Sequence, residues 1–152
     1  MMMRDIPESE IANLIRDVLA PSAAIYPETC DSLSAARGAY ALVMRFDAPV
    51  RFLRGQASHV VTAGWYAYAG SAYGLGGLRA RLHRHFRRDK TLHWHIDHLT
   101  AAADRIFAVG VEGGSECGVA TRLVGSGRLR HGLTGIGSSD YNSCTSHLLE
   151  WR

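Results

Sequence analysis

The chain has few cysteines, and their spacing excludes two classes of protein. The three thiols, at Cys30, Cys117 and Cys144, are an odd set with no CxxC pair among them. They do not form the framework of a small disulfide-stapled domain, and they lack the paired thiolates of a cysteine-based zinc site. We therefore expect buried, reduced thiols, which is the common state of free cysteine.

Long apolar runs are also missing. The sequence contains no run of about 18 consecutive apolar residues, the length that a membrane-spanning helix requires, and its opening stretch MMMRDIPESE has no apolar signal-peptide region. With 47% hydrophobic and 20% charged residues, the composition is typical of a globular protein. The sequence predicts a cytoplasmic protein with no membrane partner.

Lysine is almost absent, so arginine carries the positive charge. The net charge is only +3, yet six of the 17 Lys and Arg residues lie between Arg79 and Lys90. Five of the six are predicted to contact an anionic partner: Arg79, Arg84, Arg87, Arg88 and Lys90. Such clustering on one helix favours nucleic acid, and DNA before RNA. The alternative is a solvated, arginine-rich helix surface.

The pattern of apolar residues divides the chain into an N-terminal segment, residues 1–37, and a domain, residues 38–152. Residues 8–20 have the periodicity of an amphipathic helix that packs on the domain, and residues 22–37 are predicted to be a linker. The domain is predicted to be α/β, with a small and mainly antiparallel sheet flanked by helices. Its strands are expected to begin near Gly38, Val50, Trp65 and Asp104. Side chains of the first strand are expected to alternate between two faces, and the last strand to be covered on both faces. The helices are expected to span 75–88, 94–102 and 115–124, the last with Ser115 as its N-cap, and residues 125–134 to form a loop.

An aromatic strand that leads into a basic helix is the most distinctive stretch of the sequence. Tyr68 lies near the end of the predicted strand, and the helix that follows has an apolar stripe at Leu75, Leu78, Leu82 and Phe86. Arg81 and His85 lie four residues apart and share a face beside that stripe. A phenol at the end of a strand is thus expected to meet an arginine on the first turns of the next helix.

These residues resemble the GIY-YIG nuclease superfamily. Tyr68-Ala69-Gly70 followed by Leu78-x-x-Arg81 looks like the second half of its signature, and Gly38-Ala39-Tyr40 looks like the first half. A small prokaryotic branch, the Uri-type endonucleases, is similar in the order GAY, YAYAGSA, GGLRARLHRH, HWHIDHL, ECGVA and GIGSSD, which covers roughly Gly38 to His147. The interval between Tyr40 and Tyr68 is longer than in many members, which implies an additional hairpin arm.

The resemblance implies metal-dependent hydrolysis of a phosphodiester. It places Mg²⁺ or Mn²⁺ at Glu116, near the start of a late helix, and the scissile phosphate at Arg81. Either Tyr40 or Tyr68 would accept the proton of the attacking water, with His85 as an auxiliary proton carrier or phosphate contact. Holding an ordinary phenol as phenolate at neutral pH costs about 4 kcal/mol, of which a nearby arginine and the metal would supply part.

Other interpretations remain open. His93, His95 and Asp97 are the densest set of potential metal ligands, so a zinc-dependent hydrolase is one alternative, and side chains that orient the basic helix are another. A non-catalytic nucleic-acid-binding module of the same fold would keep the basic helix and tolerate loss of Glu116. On spacing alone, both tyrosines are typical packing residues, and Glu116 is a typical helix-dipole partner.

Overall fold

The structure is a computed structural model that describes residues 6–54, 56–92, 95–132 and 147–152. The helices in these ranges are α1 (Glu8–Val18), α2 (Gly77–Phe86), α3 (His95–Ala102), α4 (Glu116–Gly125) and a 3-10 helix (Pro27–Ser32). The strands are β1 (Ala23–Ile25), β2 (Gly38–Phe46), β3 (Val50–Arg54), β4 (Ala57–Val61), β5 (Gly64–Ala72), β6 (Arg105–Glu112), β7 (Leu129–His131) and β8 (Leu148–Trp151). The predicted α/β class, with an antiparallel sheet flanked by helices, is confirmed.

One antiparallel sheet organises the described residues, with its strands in the order β1-β6-β2-β5-β8-β7. The central strand β2 pairs along its length with β5 on one side and with β6 on the other. In this register Tyr40 lies opposite Gly70 of β5 and Gly110 of β6. Because neighbouring side chains on one face of a sheet stand close together, two flanking glycines leave room for a large ring between them.

Helices cover both faces of this sheet. On one face, Ile11 and Ile15 of α1 pack with Leu123 of α4 against small residues of the central strands. On the other face, α2 and α3 pack against the opposite set of side chains, which includes Leu42 and Met44 of β2. This alternation along β2 was predicted from the sequence and follows from the two-residue period of a strand. The predicted burial of β6 on both faces is also confirmed, since Phe107, Ala108 and Val109 are all buried.

Two strand predictions are corrected. Residues 22–37, predicted to be a linker, contain β1, which pairs with β6, and the 3-10 helix; a three-residue strand is too short for its alternation to stand out. Strand β3 does not join the main sheet but pairs with β4 as a separate hairpin. Both edges of β2 are taken by β5 and β6, so β3 finds its partner in the following segment. This hairpin is the additional arm predicted between Tyr40 and Tyr68.

The start of α2 also differs from its prediction. Gly76 and Gly77 have positive φ angles of 86° and 60°, a conformation that favours glycine, and the helix begins only at Gly77. Leu75, predicted to belong to the apolar stripe, is therefore fully exposed. Leu78 and Leu82 keep the predicted buried positions. The predicted loop after residue 125 likewise contains the short strand β7.

The cysteines are in two states. Cys30 is a free, buried thiol, as expected, and burial raises its pKa. Cys117 is disulfide-bonded, so the expectation of a reduced thiol is wrong there, because spacing along the chain does not fix which cysteines the fold brings together; Cys144 lies outside the described residues. In the part of the chain that the structure describes, no helix has the length and apolarity needed to cross a membrane.

Candidate functional site

Tyr40 forms the buried centre of the candidate site. A Cβ at position 70 would clash with its ring and hydroxyl, so glycine at 70 is what allows the ring to lie across β5. The hydroxyl lies 2.6 Å from Nε2 of His85. Burial, followed by the nearby Tyr68, raises the pKa of Tyr40 well above its ordinary value. Tyr40 is therefore a neutral phenol that is hydrogen-bonded to the imidazole.

His85 reaches Tyr40 from the last turn of α2. The ring is buried, and burial, reinforced by the positive charges of Lys90 and Arg81, lowers the pKa of His85 to about 3. The imidazole is thus neutral at physiological pH. His85 therefore orients the Tyr40 hydroxyl through a hydrogen bond between two neutral groups.

Lys90 fixes the end of the helix that carries His85. Its Nζ donates to the carbonyl oxygens of Arg84 at 3.2 Å and His85 at 2.9 Å, and to Oγ1 of Thr100 at 2.6 Å. The last carbonyls of a helix have no partner within the helix, so this side chain caps α2 and ties it to α3. Partial burial is the main cause that lowers the pKa of Lys90, to about 8. Lys90, predicted to contact nucleic acid, makes these contacts within the protein.

Tyr68 lies near Tyr40 and meets groups from two helices. Its ring centroid is 6.5 Å from that of His85, with the rings edge to face. Burial and the Glu116 carboxylate raise the pKa of Tyr68 to about 12, while the Arg81 guanidinium acts in the lowering direction. The hydroxyl is therefore neutral at physiological pH and within electrostatic range of one negative and one positive group. The structure thus brings together the four side chains Tyr40, Tyr68, Arg81 and Glu116.

Glu116 opens α4 from the opposite side of the site. Ser115 caps this helix, because its Oγ accepts from the backbone N–H of Gly118 at 3.0 Å, as the sequence predicted. The Glu116 side chain is 13% exposed, and its Oε2 lies 3.4 Å from Nδ1 of His147. One carboxylate fits a Mg²⁺ or Mn²⁺ ion that keeps most of its water ligands. Among the described residues, no group of three or more His, Cys, Asp and Glu forms a protein-only cage.

Asp97 has a different environment from that expected of a zinc ligand. It is fully buried, and its Oδ2 accepts from Nη2 of Arg84 at 2.9 Å. This ion pair joins α3 to α2, which corresponds to the alternative in which this motif orients the basic helix. His93 and the side chain of His95, the other two residues of the zinc hypothesis, lie outside the described part of the chain.

The basic residues of α2 line two grooves. One, of about 550 Å³, contains Arg79, Arg84 and Arg87, and a smaller one, of about 220 Å³, contains Arg81 and Arg84. Since Arg84 lines both, the grooves adjoin, and the smaller one reaches Arg81 of the candidate site. Arg79, Arg87 and Arg88 are exposed, whereas Arg84 is half-buried.

The exposed arginines also contact main-chain oxygens. Nε of Arg79 donates to the carbonyl of Leu33 at 2.7 Å, and Nη1 of Arg88 donates to that of Ala101 at 3.2 Å. Each guanidinium has five N–H donors in a planar fork. A contact to one carbonyl therefore orients the side chain and leaves donors for phosphate oxygens.

His147 is the residue of this site that the sequence analysis missed. It is fully buried just before β8, 3.4 Å from Glu116 through Nδ1, 3.8 Å from Cys117 Sγ through Nε2, and edge to face with Tyr68 at 6.5 Å between centroids. A single histidine before a short apolar strand has no pattern that distinguishes it from a packing residue. Its position at the end of the resembling region was the one available signal.

Comparisons with known proteins were made against family models, curated proteins and solved structures. The family model of a domain of unknown function, DUF123, matches residues 39–152. This range includes the central strands and the helices that carry the site. Neither the curated proteins nor the solved structures gave a match.

Proposed function

This chain belongs to the DUF123 domain family, and we propose that its domain is a GIY-YIG-like endonuclease that hydrolyses phosphodiesters in nucleic acid with a divalent metal ion. One observation carries the proposal. Tyr68, Arg81 and Glu116, from three different elements, all act on the ionisation of the buried Tyr40. A phenol, a guanidinium and a carboxylate that converge in this way suit a reaction in which water attacks a phosphate.

Arg81 is assigned to the scissile phosphate. It stands on the same helix as His85, one turn before it, and lines the smaller groove beside Gly74 and Leu75. A guanidinium can form two parallel hydrogen bonds with phosphate oxygens. Its fixed charge would also stabilise the negative charge that develops on the phosphate in the transition state.

Glu116 is assigned to the metal ion, Mg²⁺ or Mn²⁺. Its carboxylate is only slightly exposed, and Oε2 faces His147, which leaves the other oxygen as the ligand. When bound, such an ion acts as a Lewis acid and lowers the pKa of a water ligand.

Tyr68 is assigned to the attacking water. With a pKa of about 12, its phenolate at pH 7 would cost roughly 7 kcal/mol, more than the 4 kcal/mol of an ordinary phenol. In the protein alone Tyr68 therefore orients water by hydrogen bonding, and it would act as a base only where added positive charge lowers its pKa.

Tyr40 and His85 are assigned a supporting role in the same reaction. Because the pKa of His85 is about 3 and that of Tyr40 is well above its usual range, proton transfer between them is strongly unfavourable. Their hydrogen bond therefore holds the Tyr40 hydroxyl in one direction. Its oxygen is then available to accept a hydrogen bond from water.

The basic grooves support nucleic acid as the substrate. Arg81 lines the smaller groove, and the adjoining larger groove extends from Arg84 toward Arg79 and Arg87, so a polynucleotide bound at Arg81 would place neighbouring phosphates along α2. Contacts of this kind carry most of the affinity for a nucleic-acid backbone, and they weaken with salt.

A cleavage assay tests the proposal. Wild type and Glu116→Gln are incubated with mixed DNA and RNA substrates in Mg²⁺, in Mn²⁺ and in EDTA, and binding is measured in parallel. We expect metal-dependent cleavage by wild type and none by Glu116→Gln, which removes the charge that a hard cation requires, with affinity within a few-fold. Binding without cleavage by wild type under every divalent ion would instead establish a binding module.

A further inference from the structure

We infer that His147 is a positioning residue that sets the orientation of the Glu116 carboxylate through its Nδ1–H. The inference rests on the proposed function, because that function makes Glu116 the metal ligand. No feature of the sequence assigned a role to His147.

The His147 ring is held in place from two sides. Its main-chain carbonyl accepts from the N–H of Ala69 at 2.8 Å, which ties its backbone to β5 next to Tyr68. The ring is fully buried and packs edge to face with the Tyr68 ring, at 70° between the planes. The backbone hydrogen bond and the buried ring contact hold the imidazole in place beside Tyr68.

The Glu116 carboxylate is the more exposed member of the pair. Its side chain is 13% exposed, and Nδ1 of His147 faces Oε2 at 3.4 Å. This is longer than a tight charge-assisted hydrogen bond of about 2.8 Å, and contacts of this kind shorten in the liganded complex. A donor fixed on Oε2 turns Oε1 outward. Partners that orient a metal-binding carboxylate typically change metal affinity by about 10–100-fold when they are removed.

The two ring nitrogens face different groups, which makes the role of Nδ1 testable. Nε2 lies 3.8 Å from the Cys117 sulfur. Cys117 is disulfide-bonded, so its sulfur has no proton to donate, and with the ring proton on Nδ1 this contact is a packing contact. The amide of Asn occupies the position of Nδ1 in histidine, whereas the longer amide of Gln reaches the position of Nε2. His147→Asn therefore keeps a donor toward Glu116, and His147→Gln keeps one only toward Cys117.

The test measures Mn²⁺ binding by the metal-free protein, using the electron paramagnetic resonance signal of free Mn²⁺, with thermal unfolding as a check of the fold. We expect Glu116→Gln to lose Mn²⁺ binding and His147→Gln to weaken it about 10–100-fold. His147→Asn should stay within a few-fold of wild type. His83→Gln, which changes a histidine that is 56% exposed, is the control and should have no effect.

The outcomes separate the two ideas. If Glu116→Gln binds Mn²⁺ like wild type, the metal assignment of the proposed function is wrong. If Glu116 is required but His147→Gln binds normally, or if folded His147→Asn and His147→Gln lose affinity equally, the inference alone is overturned. Should His147→Gln fail to fold, a folded His147→Asn variant decides: affinity near that of wild type supports the Nδ1 donor, and loss of affinity refutes it.

Discussion

The buried His85 makes the stability of the domain depend on pH in a defined direction. Its pKa in the folded protein is about 3, against 6.5 for an ordinary histidine. Between these values the unfolded chain binds a proton that the folded chain does not. The contribution of His85 to the free energy of unfolding is therefore fully present above pH 6.5 and is lost as the pH falls below that value.

The size of the effect follows from the two pKa values. One proton difference changes the free energy of unfolding by at most about 1.4 kcal/mol per pH unit. Between pH 7 and pH 5 the histidine titrates in the unfolded chain alone, so we expect a loss of about 2 kcal/mol from this residue. For a domain of this size the loss would lower the melting temperature by several degrees.

Urea denaturation at pH 7 and pH 5 measures this loss. Other groups also titrate in this range, so the difference between variants is the informative quantity. His85→Gln keeps a carbonyl acceptor for the Tyr40 hydroxyl but does not titrate, and its loss between the two pH values should be about 2 kcal/mol smaller than that of wild type. His83→Gln, two residues earlier and 56% exposed, should behave like wild type. If His85→Gln loses as much stability as wild type, His85 is not a buried neutral imidazole.

Three further predictions concern the glycine beside Tyr40 and two arginines of the basic surface. Gly70→Ala should destabilise the domain by about 1–3 kcal/mol in urea denaturation, because the new methyl group meets the Tyr40 ring; stability equal to wild type would contradict the placement of that ring. Arg84→Gln should lower the free energy of unfolding by about 3 kcal/mol, since the buried Asp97 loses its ion-pair partner. Arg87→Gln should leave stability unchanged but reduce the salt slope of nucleic-acid binding by about 1; an unchanged slope would exclude Arg87 from the contact surface.

The sequence predicted the parts of the fold that have a strong period. The two-residue alternation of side chains from Gly38 to Phe46 identified β2 and its two faces. The four-residue spacing of Leu78 and Leu82 identified α2. Both signals reflect burial on one side of a regular element. The short strand β1 and the late start of α2 escaped prediction, because pairing with β6 and the positive φ of two glycines decide them.

At the site too, contacts between residues close in sequence were easier to predict than contacts between distant residues. Arg81 and His85 are close in sequence, so helix geometry alone predicts that they share a face. Lys90 caps α2 by donating to Thr100 and the helix carbonyls, contacts that its place in a run of basic residues does not reveal; its contact with nucleic acid stays a prediction. His147 was missed. It lies close to Glu116 because β8 pairs with β5, and the spacing of residues along the chain does not reveal this contact.

The most direct test of the account is single-turnover cleavage by Tyr68→Phe, compared with Tyr66→Phe. Both variants remove one hydroxyl from β5, but the Tyr66 hydroxyl is hydrogen-bonded to Thr62 at 2.8 Å, whereas Arg81 and Glu116 act on that of Tyr68. We expect Tyr68→Phe to slow metal-dependent cleavage by about two to four orders of magnitude with nucleic-acid affinity within a few-fold, and Tyr66→Phe to cleave at nearly the wild-type rate. Cleavage by Tyr68→Phe at the wild-type rate would contradict the assignment of this site.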